Sequence, residues 1–343
     1  MRRHTNSHPK ESYYLGVTAA LLALLFLLPL FTVTVVRREK AGEQEPERLE
    51  IWPPGEVDSR ETIRVLISGA VREMPMSDYL AGVVRAEMPA SFEQEALCAQ
   101  AVAARTYTLY KIASGSNHGA AADVCDDPTC CQAYLDKESA AANWGSHAEL
   151  YEAKVENAVS KTDGQTILYD GQPILAVFHS SSAGRTKSAG EVWTQDLPYL
   201  QSVVSPERGS QIPNYYSRVE FTPAEFKETF LAAHPEADLS GDPENWVSRL
   251  TVSEGSNVDT ATIGGVTVRG SAVRTIFSLR SASFEVEVQN GKLVFFVTGY
   301  GHGVGMSQYG ANQMAADGAA WEEIVRHYYT GVTVDTWTRG GKA

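Results

Sequence analysis

Residues 1–12 are polar and basic, and from Tyr13 to Val36 the chain then runs through apolar and small residues without one charge. About twenty such residues suffice to cross a bilayer. A secretory signal has a shorter apolar region and a small-residue cleavage site, whereas this run leads into Arg37, Arg38 and Lys40. The pattern predicts an uncleaved transmembrane helix over 13–36. Arg2, Arg3 and Lys10 balance the basic residues beyond it, so charge alone does not orient the span. Ala41 to Arg60, rich in Glu, Pro and Gly with little apolar pattern, predicts a solvated spacer; the linker is set at 37–61 and the folded part at 62–336.

Ile63, Val65 and Ile67 alternate as a first strand. Leu80, Val83, Val84 and Met88 recur at helical spacing, Ser77 or Asp78 can cap the start, and Pro89 forbids continuation, so this helix ends beside Glu87. After that corner, Ser91 with Gln94 reads as a capping box for a second helix through Tyr110, and Ala96, Leu97, Gln100, Ala101, Ala104 and Thr108 make a face that packs closely. The segment 114–134 has no sustained periodicity and reads as a loop, and 143–162 as a polar helix. Asp170-Gly171 and Asn290-Gly291 mark hairpins, and Gly264-Gly265 lies between two short strands. Thr222-Pro-Ala-Glu225 caps a helix through Phe230, Ser271 starts a brief one through Phe277, and 306–316 and 321–329 close the chain as helices. No fixed-period repeat points to a solenoid or propeller. The order predicts an α+β fold: a single mixed catalytic domain behind an N-terminal transmembrane helix.

With 43% hydrophobic residues in 343, a substantial core is expected. The net charge of -13 argues against a nucleic-acid partner, which needs a basic footprint. It also disfavours electrostatic capture of an anionic polymer, leaving hydrogen bonds and stacking on 15 Tyr and 6 Trp as the means of holding a substrate. Of four cysteines, Cys98 falls in the second helix while Cys125, Cys130 and Cys131 bunch in the loop with His118; that asymmetry is not a disulfide framework. One imidazole and up to three thiolates suit tetrahedral zinc. The spacing is not that of a zinc finger, and free thiols or a disulfide are the alternatives.

Glu87 sits at the negative end of a helix dipole beside Met88, Pro89 and Phe92, and both features penalise its charged form. A carboxyl held toward neutrality is what a general acid for glycosidic cleavage requires; an exposed helix-end glutamate is the alternative. Gly299-Tyr-Gly-His-Gly-Val-Gly tempts a dinucleotide reading, yet no glycine has partners at both +2 and +5 and no βαβ unit follows. Its glycines instead let a backbone pass close to sugar, presenting His302, Ser307 and Gln308, unless the run is simply a tight turn. His179-Ser180-Ser181-Ser182 lacks the Gly-x-Ser-x-Gly elbow and is assigned as a substrate-binding edge through Ser181 and Ser182. Arg105 reads as a core residue paired with a carboxylate.

Gly-Val-Val-Arg-Ala-Glu-Met-Pro-Ala-Ser-Phe at 82–92, followed by Glu-Ala-Leu-Cys-Ala-Gln-Ala-Val-Ala-Ala-Arg-Thr-Tyr, resembles the stage II sporulation protein D family. So do Val-Phe-His-Ser-Ser-Ser-Ala-Gly-Arg-Thr at 177–186, Leu-Pro-Tyr-Leu at 197–200 and Gly-His-Gly-Val-Gly-Met-Ser-Gln-Tyr-Gly-Ala at 301–311. The resemblance implies a membrane-anchored lytic transglycosylase, N-terminus cytoplasmic and catalytic domain extracytoplasmic, that cuts peptidoglycan glycan strands during engulfment in sporulation. It implies Glu87 as general acid and base, and a zinc site on His118, Cys125 and Cys131. Position 130 departs from the family's usual His; Cys130 can still ligate, but two adjacent residues reach one metal only over a bent backbone. The zinc is expected to be structural rather than catalytic. The implied partners are a wall amidase and a polytopic membrane scaffold. A zinc-dependent amidase or peptidase, or a non-catalytic amidase enhancer, are the competing functions.

Overall fold

The computed structural model describes residues 50–193, 195–253 and 257–337. The chain divides into two units, Met1–Glu50 and Ile51–Ala343, and the architecture below is that of the second. The expected cytoplasmic segment 1–12 and membrane span 13–36 lie outside the described residues. Among the described residues no helix is long and apolar enough to cross a membrane; even the 21-residue helix Gln94–Ser114 carries Glu95, Gln100, Arg105 and Lys111. The single-pass membrane localisation expected from the sequence is corrected on that finding.

The spacer also ends earlier than its composition implies. Glu56–Arg60 forms a short helix (α1) whose Asp58 is buried. Arg105 Nε lies 2.9 Å from both Asp58 carboxylate oxygens, and Arg105 Nη1 donates to the Gln165 carbonyl at 3.0 Å. A guanidinium only 1% exposed needs such a partner, because an unpaired interior charge is strongly destabilising. The carboxylate expected for Arg105 thus comes from a residue assigned to the linker.

Strand β1 (Thr62–Ile67) buries Ile63, Val65 and Ile67, pairs antiparallel with β2 (Ala70–Pro75) and parallel with β3 (Val124–Cys125). Helix α2 (Met76–Glu87) leads to α3 (Gln94–Ser114), in which every residue from Ala96 to Thr106 is buried. A helix covered all round belongs at the centre of a core. Its start differs from the expected capping box: Glu93 is the N-cap, without a side-chain bond, and Phe92 N–H donates to the Pro89 carbonyl at 3.0 Å. The polar helix expected over 143–162 is two, α4 (Lys137–Trp144) and α5 (Ala148–Lys161), broken where Gly145 takes φ 56°. Strands β4 (Gln165–Tyr169) and β5 (Gln172–Pro173) form the expected hairpin, with Asp170 and Gly171 at φ 49° and 74°. Strand β6 (Phe178–His179) and helix α6 (Ala189–Val192), capped by Ser188 and Glu191, follow.

A second core interrupts the first. It is built from β7 (Tyr216–Phe221), α7 (Pro223–Ala233), β8 (Val247–Val252), β9 (Val258–Ile263), β10 (Val266–Arg269), α8 (Gly270–Ile276), β11 (Phe284–Gln289) and β12 (Lys292–Thr298). Two three-stranded sheets, ordered β10-β9-β8 and β11-β12-β7, enclose Phe226, Phe230, Trp246, Phe277 and Phe295. The Thr222–Glu225 capping box forms as expected. The chain then returns through the glycine-rich loop to β13 (Met306–Ser307), parallel to β6, then to α9 (Gln308–Ala316), α10 (Trp321–Tyr328) and β14 (Thr333–Thr336) on the free edge of β4. The fold is mixed α+β, with two hydrophobic cores.

Candidate active site and metal cluster

Pro89 stops α2 at Glu87, and Met88 is already extended at φ -127°. The end is pinned from outside: Gln308 Nε2 donates to the Glu87 carbonyl at 2.8 Å and to Gln100 Oε1 at 3.3 Å. This satisfies a carbonyl that has no donor within its own helix. Beside it opens a cleft of about 820 Å³ with walls from elements of both cores, including Glu87, Gln308, Arg274 of α8, Tyr300 and His302.

Among the described residues lining the cleft, Glu87 is the sole carboxylate. The Ala133 N–H donates to its Oε1 at 2.8 Å. Burial raises the Glu87 carboxyl above its ordinary range, and the Ala133 N–H pulls the other way less strongly. The two cleft histidines are not competing acids. Burial pushes His179 down to about 4 and, with help from His179 and Arg274, His302 down to about 3, so both imidazoles are neutral near pH 7. His179 Nδ1 lies 3.2 Å from the Val304 carbonyl, and the Val304 N–H donates to His302 Nδ1 at 3.1 Å. Trp144, Tyr300 and Tyr309 add aromatic surface to the walls.

The loop behind Ala133 carries the thiols. Cys125 is fixed by pairing of β3 with β1. Asp127 Oδ1 accepts from Thr129 N and Oγ1 at 2.8 and 2.7 Å, while the Asp127 carbonyl accepts from the N–H groups of Cys130 and Cys131 at 3.0 and 2.8 Å. That turn supplies the bent backbone adjacent ligands need. His118 Nε2 lies 3.7 Å from Cys130 Sγ and 3.9 Å from Cys131 Sγ, and the two sulfurs are 3.8 Å apart. With Cys125, all four donor atoms fall within 4.8 Å of one another, a cluster that can hold a metal ion. Tetrahedral zinc with Zn–S bonds of about 2.3 Å separates its sulfurs by roughly 3.8 Å, so donor set and spacing fit that ion. Cys130, the member that adjacency made difficult, is within the cluster, whereas Cys98 is buried in α3 outside it.

The family model described as Stage II sporulation protein matches residues 68–169, which contain Glu87, α3 and the thiol loop. Stage II sporulation protein D of Bacillus subtilis (strain 168) is 35% identical over 329 residues, 92% of this chain and 94% of that protein. The chain belongs to the stage II sporulation protein D family. The protein of the same name from Bacillus amyloliquefaciens is 38% identical over 267 residues, 77% of this chain and 75% of that one. An amidase enhancer of Bacillus subtilis (strain 168) is 28% identical over 306 residues, 75% of this chain but 40% of that protein.

In this member of the stage II sporulation protein D family, Glu87, His302 and Gln308 line one cleft. Ser181, Ser182 and Ser307 stand behind its wall, 3%, 4% and 0% exposed. Ser182 donates from N and Oγ to Glu207 Oε1, each at 2.8 Å, and Ser307 Oγ donates to the same oxygen while capping α9. Their placement is that of a buried carboxylate-centred network, and Ser180 is the serine of the run that lines the cleft. The glycines also serve chain crossing: a Cβ at Gly305, φ 71°, would stand 2.1 Å from the Val177 carbonyl oxygen, and one at Gly301, which lines the cleft, 2.7 Å from His179 Cβ. Sequence reasoning missed Arg274 and Glu207, neither of which lies in a stretch with a local chemical signature, and Ala133, which acts through its backbone N–H just beyond the thiols.

Proposed function

We propose that this chain is a peptidoglycan lytic transglycosylase acting in sporulation, with Glu87 as both general acid and general base. The observation that carries the reading is a single carboxyl, raised by burial, in a cleft whose lining among the described residues holds no second one. Ordinary glycosidases use a pair of carboxylates. A lytic enzyme manages with one, because the C6 hydroxyl of muramic acid is itself the nucleophile. Glu87 donates its proton to the glycosidic oxygen as the bond to the anomeric carbon breaks. The resulting carboxylate takes the proton of the C6 hydroxyl as that oxygen closes the 1,6-anhydro ring. The neutral histidines leave this proton traffic to Glu87.

His118, Cys125, Cys130 and Cys131 would hold zinc as a structural ion, since four protein ligands leave no open position for chemistry. That disfavours a metal-dependent amidase or peptidase. The likeness to an amidase enhancer supports a second reading, a non-catalytic partner of a wall amidase. Incubation of the full chain with peptide-stripped glycan decides between them. Anhydromuramoyl ends by mass spectrometry are expected; uncut glycan, together with faster peptide release by an added wall amidase, would establish the enhancer instead.

A further inference from the structure

The cleft holds a cation that the proposed reaction leaves unused. Arg274, on α8, lines it together with Glu87. The partly covered guanidinium donates from Nε to the Arg280 carbonyl at 3.2 Å. Burial disfavours its charge, and the opposing influence comes from Tyr300 rather than from any carboxylate among the described residues. Among the described residues, Arg105 is matched to Asp58, and Arg85 to Glu152 through Nε at 2.9 Å. Desolvating a cation without a counter-ion is unfavourable. In a chain with 42 Asp and Glu against 29 Lys and Arg, the absence of one here is notable.

Position within the cleft matters equally. The Arg274 charge helps depress His179 and His302, which line the same cleft as Glu87. We propose that Arg274 is the anion subsite of this cleft, its planar guanidinium receiving a carboxylate of the glycan beside the bond that Glu87 protonates. The assignment rests on the reading of peptidoglycan glycan as substrate. The glycan backbone offers one kind of carboxylate, the lactyl group of muramic acid, and an attached stem peptide converts it to a neutral amide. A guanidinium fork fits a carboxylate bidentately and has nothing equivalent to offer an amide. Arg274 thus selects muramoyl residues whose lactyl group is free, while stem-peptide carboxylates are the other source of the same chemistry.

Calorimetric titration of the full chain carrying Glu87→Gln tests this without cleavage, using stripped glycan, the same glycan with lactyl groups capped as methylamides, and glycan with intact stem peptides. The free lactyl form is expected to bind roughly tenfold more tightly than the capped form, the range of one charge-assisted contact. Adding Arg274→Gln should remove that difference, and Arg274→Lys, which keeps the charge if the Arg280 contact loosens the fold, should retain part of it. Equal binding of free and capped glycan, or a preference that survives Arg274→Gln, overturns the subsite. A preference for peptide-bearing glycan, lost in Arg274→Gln, moves the subsite to the stem peptide and overturns the lactyl assignment. Absence of anhydro products from the wild-type chain, with the Arg274-dependent preference intact, removes the transglycosylase reading and leaves the subsite standing.

Discussion

The Ala133 backbone N–H donates to Glu87 Oε1 at 2.8 Å, and Ala133 stands two residues after Cys131. The intervening Gln132 is buried and donates to Thr108 Oγ1 on α3 at 3.2 Å. The thiol loop therefore has two fixed ends, the cluster and α3, and between them it presents one donor to the carboxyl. A backbone donor in this position orients Glu87 and moderates the effect of burial on it.

Glu87→Gln should lower glycan cleavage by at least about a hundredfold, the usual worth of a positioned acid, while metal content and circular dichroism stay those of wild type. The amide can still accept the Ala133 N–H but has no proton to give. Activity within twofold of wild type would remove Glu87 from the reaction.

The same residue sets a pH dependence in two observables. Its folded carboxyl ionises at higher pH than in the unfolded chain. The stability it contributes is full below the unfolded value and lost as pH rises through the folded one. Cleavage should fall over that window as the acid deprotonates. Thermal melts should show Glu87→Gln gaining on wild type with increasing pH; a difference between their melting temperatures that does not change with pH would contradict the raised carboxyl.

Where the chemistry is local, the sequence was legible. Pro89 marks the corner after α2, Asp170-Gly171 and Asn290-Gly291 take the positive φ that their hairpins require, and Thr222–Glu225 caps its helix. Long-range features were not. The two-residue parallel pairing of Met306–Ser307 with Phe178–His179 turns the serine run inward, and nothing in either segment announces the other. Asp58 read as solvated spacer because its neighbours are polar, yet its partner Arg105 lies 47 positions away. Ser91 and Gln94 have capping-box spacing, but the Pro89 turn takes up Phe92 and moves the helix start to Gln94. Arg274 has its meaning only from the cleft into which two separate cores bring it.

Asp58→Ala should destabilise the folded unit by about 3–5 kcal/mol, since it strands Arg105 in the core. A double variant Asp58→Leu, Arg105→Met should recover most of that loss by replacing the pair with apolar volume. Urea unfolding measures both. A single variant within 0.5 kcal/mol of wild type, on the order of an ordinary surface substitution, would mean that α1 does not hold the spacer to the core.

Cys125→Ser and chelation address the other end of the Ala133 tether. The four donor atoms draw together three separate pieces of backbone, β3, the turn after Asp127 and the segment bearing His118, in a loop with little apolar side chain to pack. Removing the ion should therefore lower the melting temperature, as expected where metal binding is coupled to folding. Cleavage should fall only partly, because the carboxyl stays on α2 and loses the orientation supplied by Ala133. The expected signature is metal lost, stability reduced and measurable turnover retained in Cys125→Ser, against metal kept and turnover lost in Glu87→Gln. Complete loss of cleavage on chelation of a chain that remains folded, restored by zinc but not by conditions that merely restore stability, would transfer the chemistry to the metal. Elemental analysis that finds no metal in protein purified under reducing conditions without chelator would instead leave His118, Cys125, Cys130 and Cys131 as a thiol cluster, and Ala133 would be held by Gln132 and the Asp127 turn alone.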